Sequence, residues 1–145
     1  MDKTKVVIGS DHAGFQAKEE IKKILVNLGF TQIIDVGPNS GNSVDYPIYA
    51  KKVAKEVLQK DIFGILICGS GTGMQIAANK IKGIRAAFSY DKYSATMARQ
   101  DNNANIITLR AREFDHSKYK EILQAFFQTE FSEEQRHKKR IDLLE

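Results

Sequence analysis

Residues 62–80, IFGILICGSGTGMQIAANK, pass from an apolar run through three closely spaced glycines into a helical pattern. The run IFGILIC is short, apolar and rich in β-branched residues, which is typical of a buried strand. The segment MQIAANK after the glycines predicts a helix. A strand that passes through a tight turn into a helix is the repeating unit of parallel α/β sheets, so this stretch indicates the fold class.

The rest of the chain repeats this alternation. Four more strands are predicted in VVIGS, TQIIDVG, IRAAFS and NIITL, and helical patterns separate or follow them. The helix predicted over residues 46–60 can begin at Pro47. Its apolar spacing predicts a buried face of Val53, Ala54, Val57 and Leu58. We therefore predict an α/β fold in three layers, a five-stranded parallel sheet with helices on both faces.

The C-terminal segment SEEQRHKKRIDLL, residues 132–144, predicts a terminal helix beyond the sheet. Ser132 and Gln135 have the spacing of a capping box, so we expect the helix to start there. Most of the segment is polar, and its apolar residues come only at the end. This pattern is typical either of an arm that lies on a second subunit or of a solvated helix. The chain is thus predicted to be one domain, 1–145, with 132–145 as a C-terminal helical arm.

Composition narrows the class of protein. The chain has 145 residues, 42% of them hydrophobic and 28% charged, which is typical of one globular domain. The net charge of +4 is modest and argues for a small anionic ligand at least as well as for nucleic acid. A single cysteine gives no support for an oxidising compartment, and no apolar run could cross a membrane. We therefore expect a cytoplasmic protein that binds neither nucleic acid nor membrane.

The glycine-rich turn GSGTGM, residues 69–74, departs from both nucleotide fingerprints. Met74 stands where a dinucleotide-binding loop needs its third glycine. The other candidate loop, GSDHAGF at residues 9–15, has Phe15 and Gln16 where a P-loop needs lysine and serine or threonine. A turn of small residues before a helix still leaves backbone N–H groups available for an oxyanion. The alternative is a turn that only needs the conformational freedom of glycine.

The only cysteine, Cys68, directly precedes this turn. A thiolate near the start of a helix is stabilised by the helix dipole, so Cys68 could act as a base or a nucleophile. The alternative is an inert cysteine in the core, where this residue type is common. A metal site is not predicted, because the histidines have no metal-ligand spacing. They are His12, His116 and His137.

Further polar residues follow other predicted strands and helices. Asp11 and His12 end the first strand, at the same carboxyl edge as the cysteine. Residues 101–103, Asp-Asn-Asn, are expected to be a third contributor to that crevice, although such residues are also typical of ordinary turns. Arg136 and Arg140 share one face of the terminal helix and could meet one phosphate, or could simply be solvated.

Several motifs in register give the chain a family resemblance. They are GSDHAGF, VDYP, ILICGSGTGM, IAANKIKGIRAA, NNANI and RHKKR. With these motifs the chain resembles the type B ribose-5-phosphate isomerases, within the group that includes galactose-6-phosphate isomerase subunits. The resemblance implies a Rossmann-like fold in a homodimer or a tetramer of dimers. It also implies interconversion of ribose 5-phosphate and ribulose 5-phosphate, a step of the pentose phosphate pathway, through an enediolate and without a metal or organic cofactor.

The resemblance also implies roles for individual residues. Cys68 would be the base that moves a proton between C2 and C1 of the sugar. The loop that stabilises the enediolate oxygen would be Gly69, Ser70, Gly71, Thr72 and Gly73. Substrate binding would involve Asp11, His12, Tyr46, Asn102, Arg112, Arg136 and Arg140. The last two arginines are expected to reach across a dimer interface.

One position departs from the family pattern. Many members have a histidine where this chain has Asp101, and that histidine is assigned to acid-base catalysis of sugar-ring opening. A carboxylate is a poor proton donor at neutral pH. Three alternatives stay open: Asp101 acts as a catalytic base, His12 or the Ser70 hydroxyl takes over, or the preferred sugar is an allose or galactose 6-phosphate. A phosphosugar-binding domain without catalysis is the remaining alternative.

Overall fold

Strands and helices alternate along the whole chain, and the computed structural model describes all residues from 1 to 145. The five strands are β1 (Asp2–Ser10), β2 (Gln32–Asp35), β3 (Ile62–Cys68), β4 (Ala86–Phe88) and β5 (Ile106–Arg110). The six α-helices are α1 (Phe15–Asn27), α2 (Tyr46–Lys60), α3 (Thr72–Asn79), α4 (Lys92–Gln100), α5 (Tyr119–Gln128) and α6 (Gln135–Asp142). A short 3-10 helix, His116–Lys118, leads into α5.

The five strands form one sheet in the order β2-β1-β3-β5-β4, and all four pairings are parallel. Each parallel connection needs a crossover, and α1 to α4 supply these crossovers. The predicted five-stranded parallel sheet with helices on both faces is therefore confirmed.

Two apolar cores lie on opposite faces of the sheet. The larger one packs strand residues such as Ile65 and Ile67 against α1, α4 and α5. The smaller one packs Leu66 and Cys68 against α2 and α3. Successive side chains of β3 point to opposite faces, which is why a nearly continuous apolar run is required there. This alternation places the Cys68 side chain on the α2 and α3 face.

The adjacent strands β1 and β3 form the point at which the chain changes direction across the sheet. After β1 the chain continues to β2 on one side, and after β2 it returns to β3 on the other. Such a switch point opens a crevice at the carboxyl ends of its strands. The loop after β1 approaches β3 closely, because a Cβ on Gly14 would lie 2.6 Å from the Ile67 carbonyl oxygen. The sequence at this point therefore requires glycine.

Two local predictions are wrong. Leu58 is 48% exposed, and Ala50 takes part in the buried face of α2 instead. The capping box at Ser132 does not form, because α6 begins at Gln135 with Glu134 as its N-cap. Glu133 has a φ of +57°, so the chain turns there and the helix starts later than the sequence pattern indicates.

No helix of the chain combines the length and apolarity that crossing a membrane requires.

Candidate active site

The thiol of Cys68 is held at the carboxyl end of β3. The residue is 4% exposed, and its Sγ accepts a hydrogen bond from the Gly71 backbone N–H at 3.1 Å. An N–H group aimed at sulfur stabilises the thiolate more than the thiol, because a charge-assisted hydrogen bond is stronger than a neutral one. The turn after the strand is thus arranged around this sulfur atom.

The turn can adopt this shape only because Gly71 is a glycine. Its φ of +80° lies in the left-handed region, and a Cβ there would lie 2.6 Å from the Phe88 ring. Gly71 is the N-cap of α3, which starts at Thr72 and has no side-chain cap. An uncapped helix start presents backbone N–H groups and the positive end of the helix dipole to a ligand. The glycine-rich turn is therefore suited to a negatively charged oxygen.

Two arginines flank the turn. Arg110 ends β5 and lies in register with Cys68 on the neighbouring strand. Arg112 follows two residues later, and a Cβ on Gly69 would lie 3.2 Å from its Cδ atom. The backbone secures this arrangement, because the Ala111 N–H donates to the Cys68 carbonyl and the Arg112 N–H to the Gly69 carbonyl, each at 3.0 Å. The backbone that carries both arginines is thus fixed beside the thiol and the anion-binding turn.

Asp11 supplies the negative charge of the site. It is 8% exposed, and its Oδ1 accepts a hydrogen bond from the Gly14 N–H at 2.9 Å. The next residue, His12, accepts a hydrogen bond from the Val44 N–H through Nδ1 at 3.2 Å. An Nδ1 atom that accepts leaves the proton of a neutral imidazole on Nε2. His12 can therefore donate through Nε2.

These groups surround one cavity of about 540 Å³. It is lined by Asp11, Tyr46, Cys68, Gly69, Ser70, Thr72, Gly73, Phe88, Arg110 and Arg112. All of these except Phe88 and Arg110 are residues that the sequence analysis singles out. Gly71 lies between the lining residues Ser70 and Thr72 in the chain, and His12 follows Asp11. The structure thus brings the residues of the loops after β1 and β3, together with Tyr46 and Arg112, to one place.

Arg110 and Phe88 were not predicted from the sequence. Each is the last residue of its strand, β5 and β4 respectively. Ligands of parallel α/β sheets bind at the carboxyl ends of strands, so inspection of every strand end would have identified both residues.

Within one chain the segment 101–103 does not line this cavity. Asp101 follows α4 and leads into β5, whereas the site lies beyond the other end of the strands. The five residues of β5 separate the two edges by about 16 Å. Asn102 lines a second cavity, of about 600 Å³, together with Arg85 and Leu144.

The terminal arm also lies apart from the cavity. Arg136 is exposed and pairs with Glu134 at 2.7 Å, and Arg140 is exposed on the same helix. In contrast, His137 is 5% exposed, and its Nε2 lies 3.5 Å from Oδ1 of Asp101. This Nε2 has no hydrogen-bond partner. The terminal helix thus places a buried imidazole beside Asp101, the residue at which this chain departs from the family pattern.

The chemistry available at the cavity follows from these groups. Nowhere do three or more His, Cys, Asp and Glu side chains lie close enough together to hold a metal ion. A sulfur base beside N–H donors and cations can take a proton from a carbon next to a carbonyl, because the donors stabilise the oxyanion that forms. The arginines suit a phosphate group.

Comparison with known proteins agrees with this geometry. The chain matches the Ribose/Galactose Isomerase family over residues 6–144. The ribose-5-phosphate isomerase B of Escherichia coli is 40% identical over 141 residues, which cover 97% of this chain and 93% of that protein. A putative sugar phosphate isomerase of Bacillus subtilis is 43% identical over 130 residues, which cover 88% and 87%.

Solved structures give the same result. The type B ribose 5-phosphate isomerase of Trypanosoma brucei is 45% identical and superposes with a TM-score of 0.92, covering 97% of this chain and 95% of that one. The ribose 5-phosphate isomerase of Thermotoga maritima is 44% identical with a TM-score of 0.92, covering 97% and 96%. The predicted family resemblance and Rossmann-like fold are confirmed. The chain belongs to the Ribose/Galactose Isomerase family.

Proposed function

We propose that this chain interconverts ribose 5-phosphate and ribulose 5-phosphate, a step of the pentose phosphate pathway, with Cys68 as the base. One observation carries the proposal: the only thiol of the chain ends a strand at the switch point and accepts a hydrogen bond from the anion-binding turn. Relatives at about 40% identity that are named ribose-5-phosphate isomerase B support the choice of substrate.

The reaction moves one proton between adjacent carbons. The Cys68 thiolate takes the proton from C2 of the open-chain aldose, and the electron pair of that bond forms the C1–C2 double bond. The aldehyde oxygen O1 becomes the negative oxygen of the enediolate, and it takes up the proton of the O2 hydroxyl. The thiol then returns its proton to C1, which gives the ketose and restores the thiolate. No atom is gained or lost, and no oxidant or reductant is consumed.

The turn at residues 69–73 stabilises the negative oxygen. Backbone N–H donors that are already in place cost no reorganisation when the charge develops, and this is a major source of rate acceleration. The Ser70 hydroxyl, which accepts a hydrogen bond from the Thr72 N–H at 3.2 Å, adds a proton donor beside the same turn. Asp11, His12 and Tyr46 bind the sugar hydroxyls.

We propose that a partner subunit completes the site in a homodimer, or in a tetramer of dimers. Within one chain the remaining predicted ligands lie outside the cavity, so they can reach it only in a second copy. They are Asn102, Arg136 and Arg140. Three exposed apolar side chains on α2 and α3 support such an interface, since a second subunit would cover them. These are Ile48, Leu58 and Ile76, which are 52%, 48% and 56% exposed.

We assign ring opening in the cavity of a second copy to the pair formed by Asp101 and His137, because this pair, like Asn102, lies at the edge of the sheet opposite the cavity of its own chain. An imidazole beside a carboxylate can give and take a proton at neutral pH, which a lone carboxylate does poorly. The buried His137 ring, 3.5 Å from Asp101, thus supplies the function of the histidine that the family pattern places at position 101.

Initial rates with ribose 5-phosphate and with allose 6-phosphate test the proposal. We expect faster turnover of ribose 5-phosphate without added metal and loss of at least about a hundredfold in kcat in Cys68→Ala. Cys68→Ser keeps the size of the side chain and is the control for packing. Faster turnover of allose 6-phosphate would assign the six-carbon alternative. Binding without turnover, unaffected in Cys68→Ala, would establish a binding domain instead.

A further inference from the structure

The His116 ring lies between two hydrogen-bond acceptors. Its Nδ1 is 2.9 Å from Oε2 of Glu20, and its Nε2 is 2.8 Å from the Ala111 carbonyl oxygen. A carbonyl and an ionised carboxylate can only accept. Neutral imidazole carries one N–H, so it can serve one of the two partners, whereas imidazolium donates to both. The two acceptors around this ring therefore favour its protonated form.

The carbonyl that His116 holds belongs to the segment 110–112, which carries both arginines of the site. On one side, the backbone N–H groups of this segment donate to the Cys68 and Gly69 carbonyls. On the other side, the Tyr119 hydroxyl donates to the Arg110 carbonyl at 2.6 Å, and His116 holds the carbonyl of Ala111. Hydrogen bonds thus hold the segment from both sides, and His116 makes one of the two on the side away from Cys68 and Gly69.

Glu20, the other hydrogen-bond partner of His116, connects the segment 110–112 to another part of the site. Glu20 lies on α1, the helix that follows the loop of Asp11 and His12. The His116 bridge therefore links the helix behind one substrate-binding loop to the segment that carries Arg112. No other side chain links these two elements through two hydrogen bonds.

Three ionisable groups face the His116 ring: Glu20 from α1, Asp115 from its own loop, and Tyr119 from α5. Burial lowers the pKa of His116, but the hydrogen bonds to Ala111 and Glu20 and the charge of Asp115 outweigh it, so the pKa lies above its ordinary value. Burial raises the pKa of Tyr119, which keeps its hydroxyl protonated as a donor. The bridge is therefore complete below about pH 6.5 and weakens as the pH rises through the higher folded-state pKa.

We propose that His116, as an imidazolium that donates through both ring nitrogens, is a positioning residue that holds Arg112 in the sugar-phosphate site. This inference rests on the proposed function, since it takes Arg112 as a substrate ligand. Its consequence is that substrate affinity falls as His116 loses its proton, while the chemistry at Cys68 is affected less. His116 itself does not touch the substrate.

Nitrogen NMR of the histidine rings tests the protonation state without any assay of activity. The chain has three histidines, so the spectrum of His116→Gln assigns the His116 signals by their disappearance. We expect both His116 nitrogens to be protonated at pH 6, with a titration midpoint above that of free histidine. A neutral ring with one protonated nitrogen at pH 6 would overturn the proposal, whatever the protein's activity.

Kinetics test the positioning role. At pH 6 we expect His116→Gln to raise KM for ribose 5-phosphate about tenfold, the effect of one lost charge-assisted hydrogen bond, with kcat changed less than about threefold. Lys120→Gln, which like His116→Gln removes one positive charge and is exposed on α5, is the matched control, and Glu121→Gln is the control for loss of a negative charge. Because the substrate phosphate titrates in the same pH range in every variant, the ratio of KM values to the matched control isolates His116.

Glu20→Gln separates positioning from simple stability. In this variant a neutral His116 can donate to Ala111 through Nε2 and accept through Nδ1 from the side-chain amide introduced at position 20. We expect KM near the value of the Glu121→Gln control at pH 6, and a ratio to this control that falls between pH 6 and pH 8 as the control loses its bridge. The wild type has the same bridge as the control, so we expect its ratio to stay constant over that range. An unchanged KM in folded His116→Gln would overturn the positioning role.

The proposed function and this inference can fail separately. If no sugar phosphate is turned over, the proposed function fails, and hydrogen exchange of the Ala111 and Arg112 amides still tests the bridge. We expect faster exchange in His116→Gln than in Lys120→Gln at the same pH, since one support of the segment is gone. Equal exchange rates in the two variants would overturn the inference.

Discussion

Replacement of Gly71 by alanine should damage both the fold and the site. At a φ of +80°, the left-handed conformation costs an L-residue about 1–2 kcal/mol. The new Cβ would lie 2.6 and 2.7 Å from two atoms of the Phe88 ring, whereas carbon atoms pack at about 3.5–4.0 Å. Moving the ring costs about 1–3 kcal/mol more. We expect a loss of roughly 2–5 kcal/mol in the free energy of unfolding.

The effect on catalysis should be of similar size in free energy. A displaced residue 71 no longer directs its N–H at the Cys68 sulfur, which it reaches at 3.1 Å in the native turn. Loss of one preorganised donor costs about 10²–10³ in kcat, so we expect kcat to fall by that factor in the folded variant.

Urea unfolding and steady-state kinetics measure the two effects. Gly41→Ala is the matched control, because a Cβ at Gly41 would meet nothing within 4 Å and its φ is not positive. The double variant Gly71→Ala/Phe88→Ala removes the clash but keeps the strained φ, so it should recover part of the stability and little of kcat. If Gly71→Ala matches Gly41→Ala in stability and in kcat, the reasoning about this turn is refuted.

Three further predictions concern other parts of the chain. Burial raises the pKa of Asp35, but hydrogen bonds from Lys18 and a second lysine outweigh it and lower the pKa, so its contribution to stability is present above about pH 4 and lost at lower pH. Acid unfolding of Asp35→Asn should therefore be less steep, and an unchanged profile would contradict this assignment. Arg140→Ala should raise KM with little change in kcat, whereas Lys139→Ala should not; equal KM values would remove Arg140 from the phosphate site. Arg99→Met should cost about 1–3 kcal/mol in urea unfolding, because the Ala104 carbonyl that accepts from Arg99 at 2.7 Å loses its donor; no loss would mean that water replaces it.

The sequence was sufficient where local pattern and global fold agree. The apolar run that ends at Cys68 and the glycines after it specify a strand, a turn and a helix start, and the structure has all three. Asp11 was placed correctly because the carboxyl ends of adjacent parallel strands meet at one edge. The same rule, applied to every strand, would also have identified Arg110.

Other features depend on contacts between distant parts of the chain. His116 and Glu20 are 96 positions apart, and no local pattern indicates that they meet. The turn that contains Asp101 leads into β5 at the edge opposite the cavity of the same chain, and His137, which lies beside Asp101, comes from the terminal helix 36 positions later. Leu58 continues the apolar spacing of α2, yet it lies outside the contact with the sheet and is exposed.

Isomerisation of ribose 5-phosphate in D₂O tests the role of Cys68 most directly. A base that exchanges its proton with solvent introduces deuterium at C1 of ribulose 5-phosphate, whereas a hydride shift between C2 and C1 introduces none. We predict deuterium at C1 with the wild type, and loss of both turnover and exchange with folded Cys68→Ser. Undiminished turnover and exchange with Cys68→Ser would contradict the assignment of this thiol as the base.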